Sequence, residues 1–359
     1  MLYGKFIDEL CDRLKQSKDD ANTRLVIGRK VNLSYKEIAN ASDWIDLHIT
    51  DELRTVPNYV TGQATVTQNS RTVNFSGSTV LTTDMQGRYF KLQGWDNWYK
   101  IIKVNTDTQL TLRNPVIEGS ETKGFIIWKR FHYLNSDVRK IKFFGTWFRD
   151  GELESKSERY IHDHSSNISD TAVPDSYSLY GVDPYFSMYF DGTATVIQDS
   201  NVMTGTGTAW LDNVTPGDIV EIGGQVLRVG RVESDTSIIL ANLATSTLEG
   251  QQSYVIKREN PKGVQFFKAV DTAYILPYSY QRRVFDMVNE KDRPLLSEDF
   301  DLAILDLAEA SRMTDLKDSD AQVKLAIATA RIRDLKMTQI GDEPRYRQMV
   351  PYIRTRKGY

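Results

Sequence analysis

Side chains able to do chemistry are sparse in this chain, and each cluster of them has a plainer explanation. His162-Asp-His164 would put two imidazoles on one face if it lay on a strand, a spacing that suits a metal ion. The surrounding segment is polar and supplies no third ligand, so exposed loop histidines are expected. Thr204-Gly-Thr-Gly-Thr208 looks superficially like a phosphate loop. Such loops need a helix directly after them to aim backbone N–H groups at the anion, whereas here a strand-like pattern continues, which predicts a turn. Glu298, Asp299 and Asp301 form an acidic group that a first helical turn favours electrostatically without catalysis. Cys11, the single cysteine, lies beside Leu10 and Leu14 in a helical pattern, where a thiol acts as a small hydrophobe. No nucleophile, acid pair or ligand set emerges, so no enzyme activity, cofactor or metal is expected.

Binding is the stronger theme. Trp95, Trp98 and Tyr99 cluster at a predicted strand turn, where aromatic faces offer contact area at low entropic cost or else cap a core. Near the C-terminus, Arg345, Arg347, Arg354, Arg356 and Lys357 are interleaved with Tyr346, Tyr352 and Tyr359, in a stretch where Pro344 and Pro351 disfavour helix. That composition predicts a docking arm, with arginines reaching carboxylates and tyrosines filling pockets.

The elements that position these residues repeat. Gly62-Gln-Ala-Thr-Val-Thr-Gln is answered by Gly192-Thr-Ala-Thr-Val-Ile-Gln, about 130 residues later. Gly87-Arg-Tyr-Phe-Lys-Leu-Gln-Gly94 is answered by Gly217-Asp-Ile-Val-Glu-Ile-Gly-Gly224, and each copy closes on an apolar strand ending Lys-Arg. Short alternating runs between glycine turns predict a small barrel or sandwich for each copy. Flanking segments read as helix: Phe6, Ile7, Leu10 and Leu14; then Lys30 to Leu53, with Ser34-x-x-Glu37 as a capping box; then a helix capped by Ser297 and another over Ser319 to Met337. Val138 to Phe144 alternates like a strand, and Gly263 to Tyr280 predicts one or two more.

The predicted architecture is therefore α+β. N- and C-terminal helices form a helical bundle core with a small strand region, and two duplicated all-β modules are inserted into it. The expected boundaries are 1–58 for the N-terminal helical part, 59–130 for the first module, 131–190 for a connector, 191–258 for the second module, 259–338 for core strands and C-terminal helices, and 339–359 for the extended tail. The 359 residues suffice for two or three domains of roughly 100 residues. Lys and Arg total 45 against 48 Asp and Glu, a balance that argues against a polyanion-binding protein as a whole. No run approaches the roughly 18 to 20 apolar residues of a membrane span, the opening residues do not read as a targeting peptide, and the lone cysteine suits a reducing cytoplasm.

Several stretches resemble the head-to-tail adaptor (connector or neck) proteins of tailed bacteriophages. They include Phe6-Ile-Asp-Glu-Leu10, the Asn40 to Trp44 segment, Tyr278-Ser-Tyr-Gln-Arg-Arg-Val-Phe-Asp286, and Asp292 to Phe300 leading into two helices and a tail. Tyr133-Leu-Asn-Ser-Asp-Val138 is similar to a Leu-Pro-x-Asp-Val pattern of that family, with Asn135 in place of proline. The repeats resemble a β module of phage neck and tail proteins, in the turns Thr204 to Thr208, Gly217-Asp218 and Ser234-Asp-Thr236, with the first copy more divergent. The resemblance implies a virion protein of the neck, assembled in the host cytoplasm. It implies a homo-oligomeric ring, commonly of twelve copies, held beneath the portal protein and joined to tail or nozzle proteins, with double-stranded DNA passing through unread. The tail residues from Arg345 to Tyr359 would then meet the portal. An alternative from the same residues is a receptor- or carbohydrate-binding tail protein that uses the β modules; a cell-wall hydrolase is a third.

Overall fold

The computed structural model describes residues 1–146, 151–164, 171–181, 188–259 and 262–340. Two units partition the chain, Met1–His48 with Val284–Tyr359, and Ile49–Arg283. Helices α1 (Tyr3–Arg13) and α2 (Ala21–Ala41) lead to strand β1 (His48–Arg54). The first repeat supplies β2 (Gln63–Val66), β3 (Thr72–Ser76), β4 (Tyr89–Leu92), β5 (Tyr99–Thr106), β6 (Gln109–Leu112), β7 (Glu121–Lys123) and β8 (Phe125–Trp128). Between the repeats lie β9 (His132–Tyr133), β10 (Val138–Thr146), β11 (Gly151–Glu152), β12 (Glu154–Ser155), a short helix α3 (Glu158–His164), β13 (Thr171–Ala172) and β14 (Ser176–Tyr180). The second repeat carries β15 (Met188–Tyr189), β16 (Thr193–Val196), β17 (Val202–Thr206), the single turn α4 (Trp210–Asn213), β18 (Ile219–Ile222), β19 (Gln225–Ser234), β20 (Ser237–Leu240), β21 (Leu248–Gln252) and β22 (Tyr254–Lys257). Strands β23 (Gly263–Phe266), β24 (Ala269–Val270) and β25 (Ile275–Arg282) precede helices α5 (Asp301–Asp315) and α6 (Ala321–Ile340).

The helical unit packs α1, α2 and α5 around one core, with Phe6, Leu10, Ile27, Val31, Trp44, Phe300 and Ile304 buried. Trp44 meets Phe300 edge to face at 4.8 Å, and its indole N–H donates to the Ile38 carbonyl at 2.6 Å. Helix α2 starts earlier than the Ser34–Glu37 spacing predicts. Asp20 is the N-cap, accepting from the Asn22 and Thr23 N–H groups at 3.2 and 3.1 Å, so Ser34 falls mid-helix and is buried. Past Ala41 the chain turns at Trp44, and His48–Arg54, expected to continue the helix, is a strand.

The expected helical bundle core with a small strand region is overturned. Strand outweighs helix, 36% against 26%, and the strands outside the repeats build sheets of their own. One runs β1-β25-β10-β11 and another β12-β14-β23-β9, over a core that includes Leu134, Phe144, Tyr177, Phe266 and Tyr278. Their partners lie far apart in sequence: β10 pairs with β25 from Val138↔Arg282 to Phe144↔Tyr278. Short strands separated by a whole module carry no local hairpin signal, which is why composition alone underweights them.

Each repeat is one curled sheet. The first runs β7-β2-β3-β6-β5-β4-β8, and its two edge strands are consecutive in sequence, joined only through Gly124. Edges formed by one bent strand require the sheet to roll over a core of Val73, Phe90, Ile101, Leu110 and Phe125. The second repeats this order with β21 and β22 as the bent strand and β15 added outside β22. Gly62 and Gly192 hold the matched turn with φ of 97° and 79°, and a Cβ at Gly192 would stand 2.5 Å from the Thr206 carbonyl oxygen. Where the chain joins each module, it is zipped to the strand that leaves it: Tyr59 bridges Ile127, and Tyr189 pairs with Ile256.

Candidate interaction surfaces

Cys11 is fully buried, and burial pushes its thiol pKa up. Thr204–Thr208 closes a strand and leads, in place of the further strand expected there, into the single four-residue turn α4, whose Trp210 fills the module core and donates to the Tyr254 hydroxyl at 2.9 Å. Glu298 and Asp299 lie in the 3₁₀ turn that leads into α5, and Asp301 opens that helix. Ser297 precedes this turn as expected, yet its hydroxyl makes no capping bond. His162 and His164 fall on helix α3, neither on a strand nor in the loop expected for them, so the shared-face spacing of a strand does not apply. No group of three or more metal-ligating side chains exists among the described residues. Arg345, Tyr346, Arg347, Tyr352, Arg354, Arg356, Lys357 and Tyr359 lie outside the described residues.

The aromatic cluster divides in two. Trp95 and Tyr99 are buried in the first module, 6.1 Å apart in an edge arrangement. The Tyr99 hydroxyl donates to the Glu118 carboxylate and accepts from the Ile117 N–H at 3.0 Å. Trp98 is only half-buried and belongs to an outer ladder. The Lys91 ammonium sits 4.8 Å from its ring centroid, Trp98 packs on Trp128 at 5.6 Å, and Trp128 on Tyr89 at 6.2 Å. Among the described residues Lys91 has no carboxylate at ion-pair distance.

Strand β4 explains this placement. Its Phe90 and Leu92 point to the core, so Tyr89 and Lys91 face outward, and the register sets Tyr89 opposite both Lys100 and Trp128. In the second module the same surface is built from β18, β19 and β22 but is charge-paired: Glu221 with Lys257 at 2.7 Å and Arg228 with Glu259 at 2.5 Å. Beside Glu221 an open cleft of about 400 Å³ is lined by Ile222, Gly223, Gly224, Val226, Tyr254 and Val255.

The two Lys-Arg closures serve as module roots, a role the sequence signals without explaining. The Arg130 guanidinium lies 4.9 Å from Phe131 and 5.9 Å from Tyr180, and its Nε donates to Gln265 Oε1 at 2.9 Å. At the corresponding position Arg258 stands 5.3 Å over Tyr133 and donates to the Asn213 carbonyl at 3.2 Å. Both arginines thus tie a module to strands of the central body.

A buried polar junction holds the second module as well. Asp218 accepts from the Ser136 hydroxyl at 2.5 Å, from the Thr215 N–H at 2.8 Å and from the Thr215 hydroxyl at 3.2 Å. It is fully buried, and burial pushes its carboxyl up to about 6, partly opposed by Arg258. Next to it, Asp137 accepts from the Tyr280 hydroxyl at 2.9 Å and pairs with Arg282 at 3.2 Å, while burial raises its pKa too. Asn135 donates to Asp51 at 2.5 Å. The sequence pattern marks Asp218 only as a turn residue, because nothing local announces a partner 82 positions away. At the matched site of the first module stands Arg88, also buried, bound to the more exposed Asp84.

No family model matches the chain, and no curated protein matches it. Among solved structures, a conserved protein of unknown function from Pseudomonas aeruginosa PAO1 aligns at 8% identity over 65% of this chain and 80% of that one. Its TM-score of 0.10 is too low to relate the folds.

Proposed function

We propose that the chain is a structural virion protein of a tailed bacteriophage, a head-to-tail adaptor that assembles as a homo-oligomeric ring beneath the portal, extends the DNA channel and joins capsid to tail. The observation that carries this reading is the duplicated β module, rooted twice on a central body by Arg130 and Arg258. Duplication of a self-contained, chemically inert module multiplies surface and adds no reaction. The motif resemblance at Leu134–Val138 supports the same reading, since those residues form the junction that holds the second module. The strand-rich body departs from the helical core that the resemblance implied, so the reading rests on these motifs and not on a shared architecture.

In this role the residues from Arg345 to Tyr359 contact the portal and the modules face tail or nozzle proteins, while DNA passes without sequence readout and no enzyme chemistry is involved. Deleting 342–359 should leave a folded chain that no longer joins heads to tails in an assembly assay. Joining at the wild-type level by the deleted chain would overturn the assignment of the tail. The half-buried Trp98 ladder favours a second reading, a glycan-binding tail protein. Glycan-array binding by a trimer, with no portal co-purification, would select it.

A further inference from the structure

The two modules share one fold and differ in charge. Residues 59–130 hold nine Lys and Arg against five Asp and Glu, whereas residues 191–258 hold four against eight. One copy is therefore net positive by four and the other net negative by four. Part of this difference falls on matched surface positions: Arg71 against Asn201, Lys91 against Glu221, and Asn105 against Glu233. A scaffold that diverges to opposite signs is suited to meet itself, because like-charged copies repel and unlike ones attract over a Debye length.

We infer that, in the ring proposed above, the first module of one copy docks on the second module of the next, with the Lys91–Trp98 corner seated in the cleft beside Glu221. Trp98 is the half-buried end of its ladder, and Lys91, lying against its ring, brings a cation that lacks an acidic partner among the described residues. The cleft offers the complement. Its wall is Val226, 60% exposed, with Val255, and its rim carries the Glu221 carboxylate, which Lys257 of the same module already meets at 2.7 Å, so that Lys91 would join this pair as a second cation. At the turn a Cβ on Gly224 would meet nothing within 4 Å, whereas the Leu248 side chain lies against Gly223, and a space of about 400 Å³ admits an indole. Such a contact joins different surfaces of successive copies, a head-to-tail arrangement that forms a ring when its rotation closes.

The inference rests on the ring reading, and a charge swap separates the two. Self-association of the full chain is measured by sedimentation and native mass spectrometry at low and high salt. Wild type should assemble and weaken with salt. Lys91→Glu alone and Glu221→Lys alone should each weaken assembly by at least about tenfold, and their equimolar mixture should recover it to within about threefold. Lys91→Gln, which removes the charge without reversing it, should fall between, and unchanged melting of each variant shows that folding is intact. If either charge-reversal variant alone assembles like wild type, or the mixture does not recover, the docking is wrong while the ring stands. A wild-type chain that stays monomeric under every condition overturns both.

Discussion

Replacing Asp218 by Asn should flatten part of the protein's dependence of stability on pH. The carboxyl is held at about 6 by burial, against an ordinary value of 3.8, a rise of about two units. At about 1.4 kcal/mol per unit this is worth about 3 kcal/mol, and full burial leaves no solvent screening to discount. The folded state keeps this proton where the unfolded chain has lost it. The contribution is therefore fully present below about pH 4 and is lost as pH rises through about 6. Asparagine keeps the geometry: its Oδ1 can accept from the Thr215 N–H and hydroxyl, while its Nδ2 donates to Ser136 Oγ. Urea unfolding across this range should show the wild type losing about 2 to 3 kcal/mol relative to Asp218→Asn, a difference that already includes the opposing attraction to Arg258. Hydrogen exchange of the β18–β19 hairpin would localise the effect. Asp137, raised in the same direction, titrates in both proteins and cancels from the difference. Parallel stability curves for the two proteins would refute the reasoning.

Two further perturbations test the packing. Trp95→Ala should destabilise by about 3 to 5 kcal/mol, because it empties part of the first module's core, and Trp98→Ala by about 1 to 2 kcal/mol, because it removes one ring pair and one cation–π contact. Thermal melts of the two variants that coincide would contradict the division of the cluster. Gly217→Ala and Gly224→Ala both place a Cβ at positive φ, 90° and 79°, but only at Gly217 does it meet backbone, 2.3 Å from the Asp137 nitrogen. Gly224→Ala should cost about 1 kcal/mol and Gly217→Ala about 1 to 3 kcal/mol more, measured by denaturant midpoints.

Local chemistry decides how much of this fold the sequence discloses. Matched glycines hold the turns at positive φ, so the modules announce themselves in composition, and the apolar spacing of Phe6, Ile7 and Leu10 marks α1. The central sheets stay hidden because Asp51, Asn135 and Tyr280 meet only after a module of 60 or more residues has been looped out on each side. Ser34 and Glu37 mislead for a related reason. A capping spacing is permissive, and Asp20 upstream already satisfies the first free N–H groups of the helix. Of the aromatic cluster, the sequence shows three residues in a turn, but strand alternation alone could not place Trp98 outside and Trp95 within, since both precede β5. Asp218 is invisible as a junction residue because its partner Ser136 lies in the turn between β9 and β10, 82 positions away and outside the module.

The zipped joints at Tyr59–Ile127 and Tyr189–Ile256 carry an evolutionary consequence. A segment whose two ends leave side by side perturbs its host no more than a short loop would, whatever is built beyond the joint. Each module is in effect a cassette, free to drift in sequence while the sheets that carry it keep their own constraints. Copying such a cassette is a small step, and after copying, the two are released to specialise in opposite directions. Arg88 and Asp218, buried at the same position with opposite sign, record that freedom.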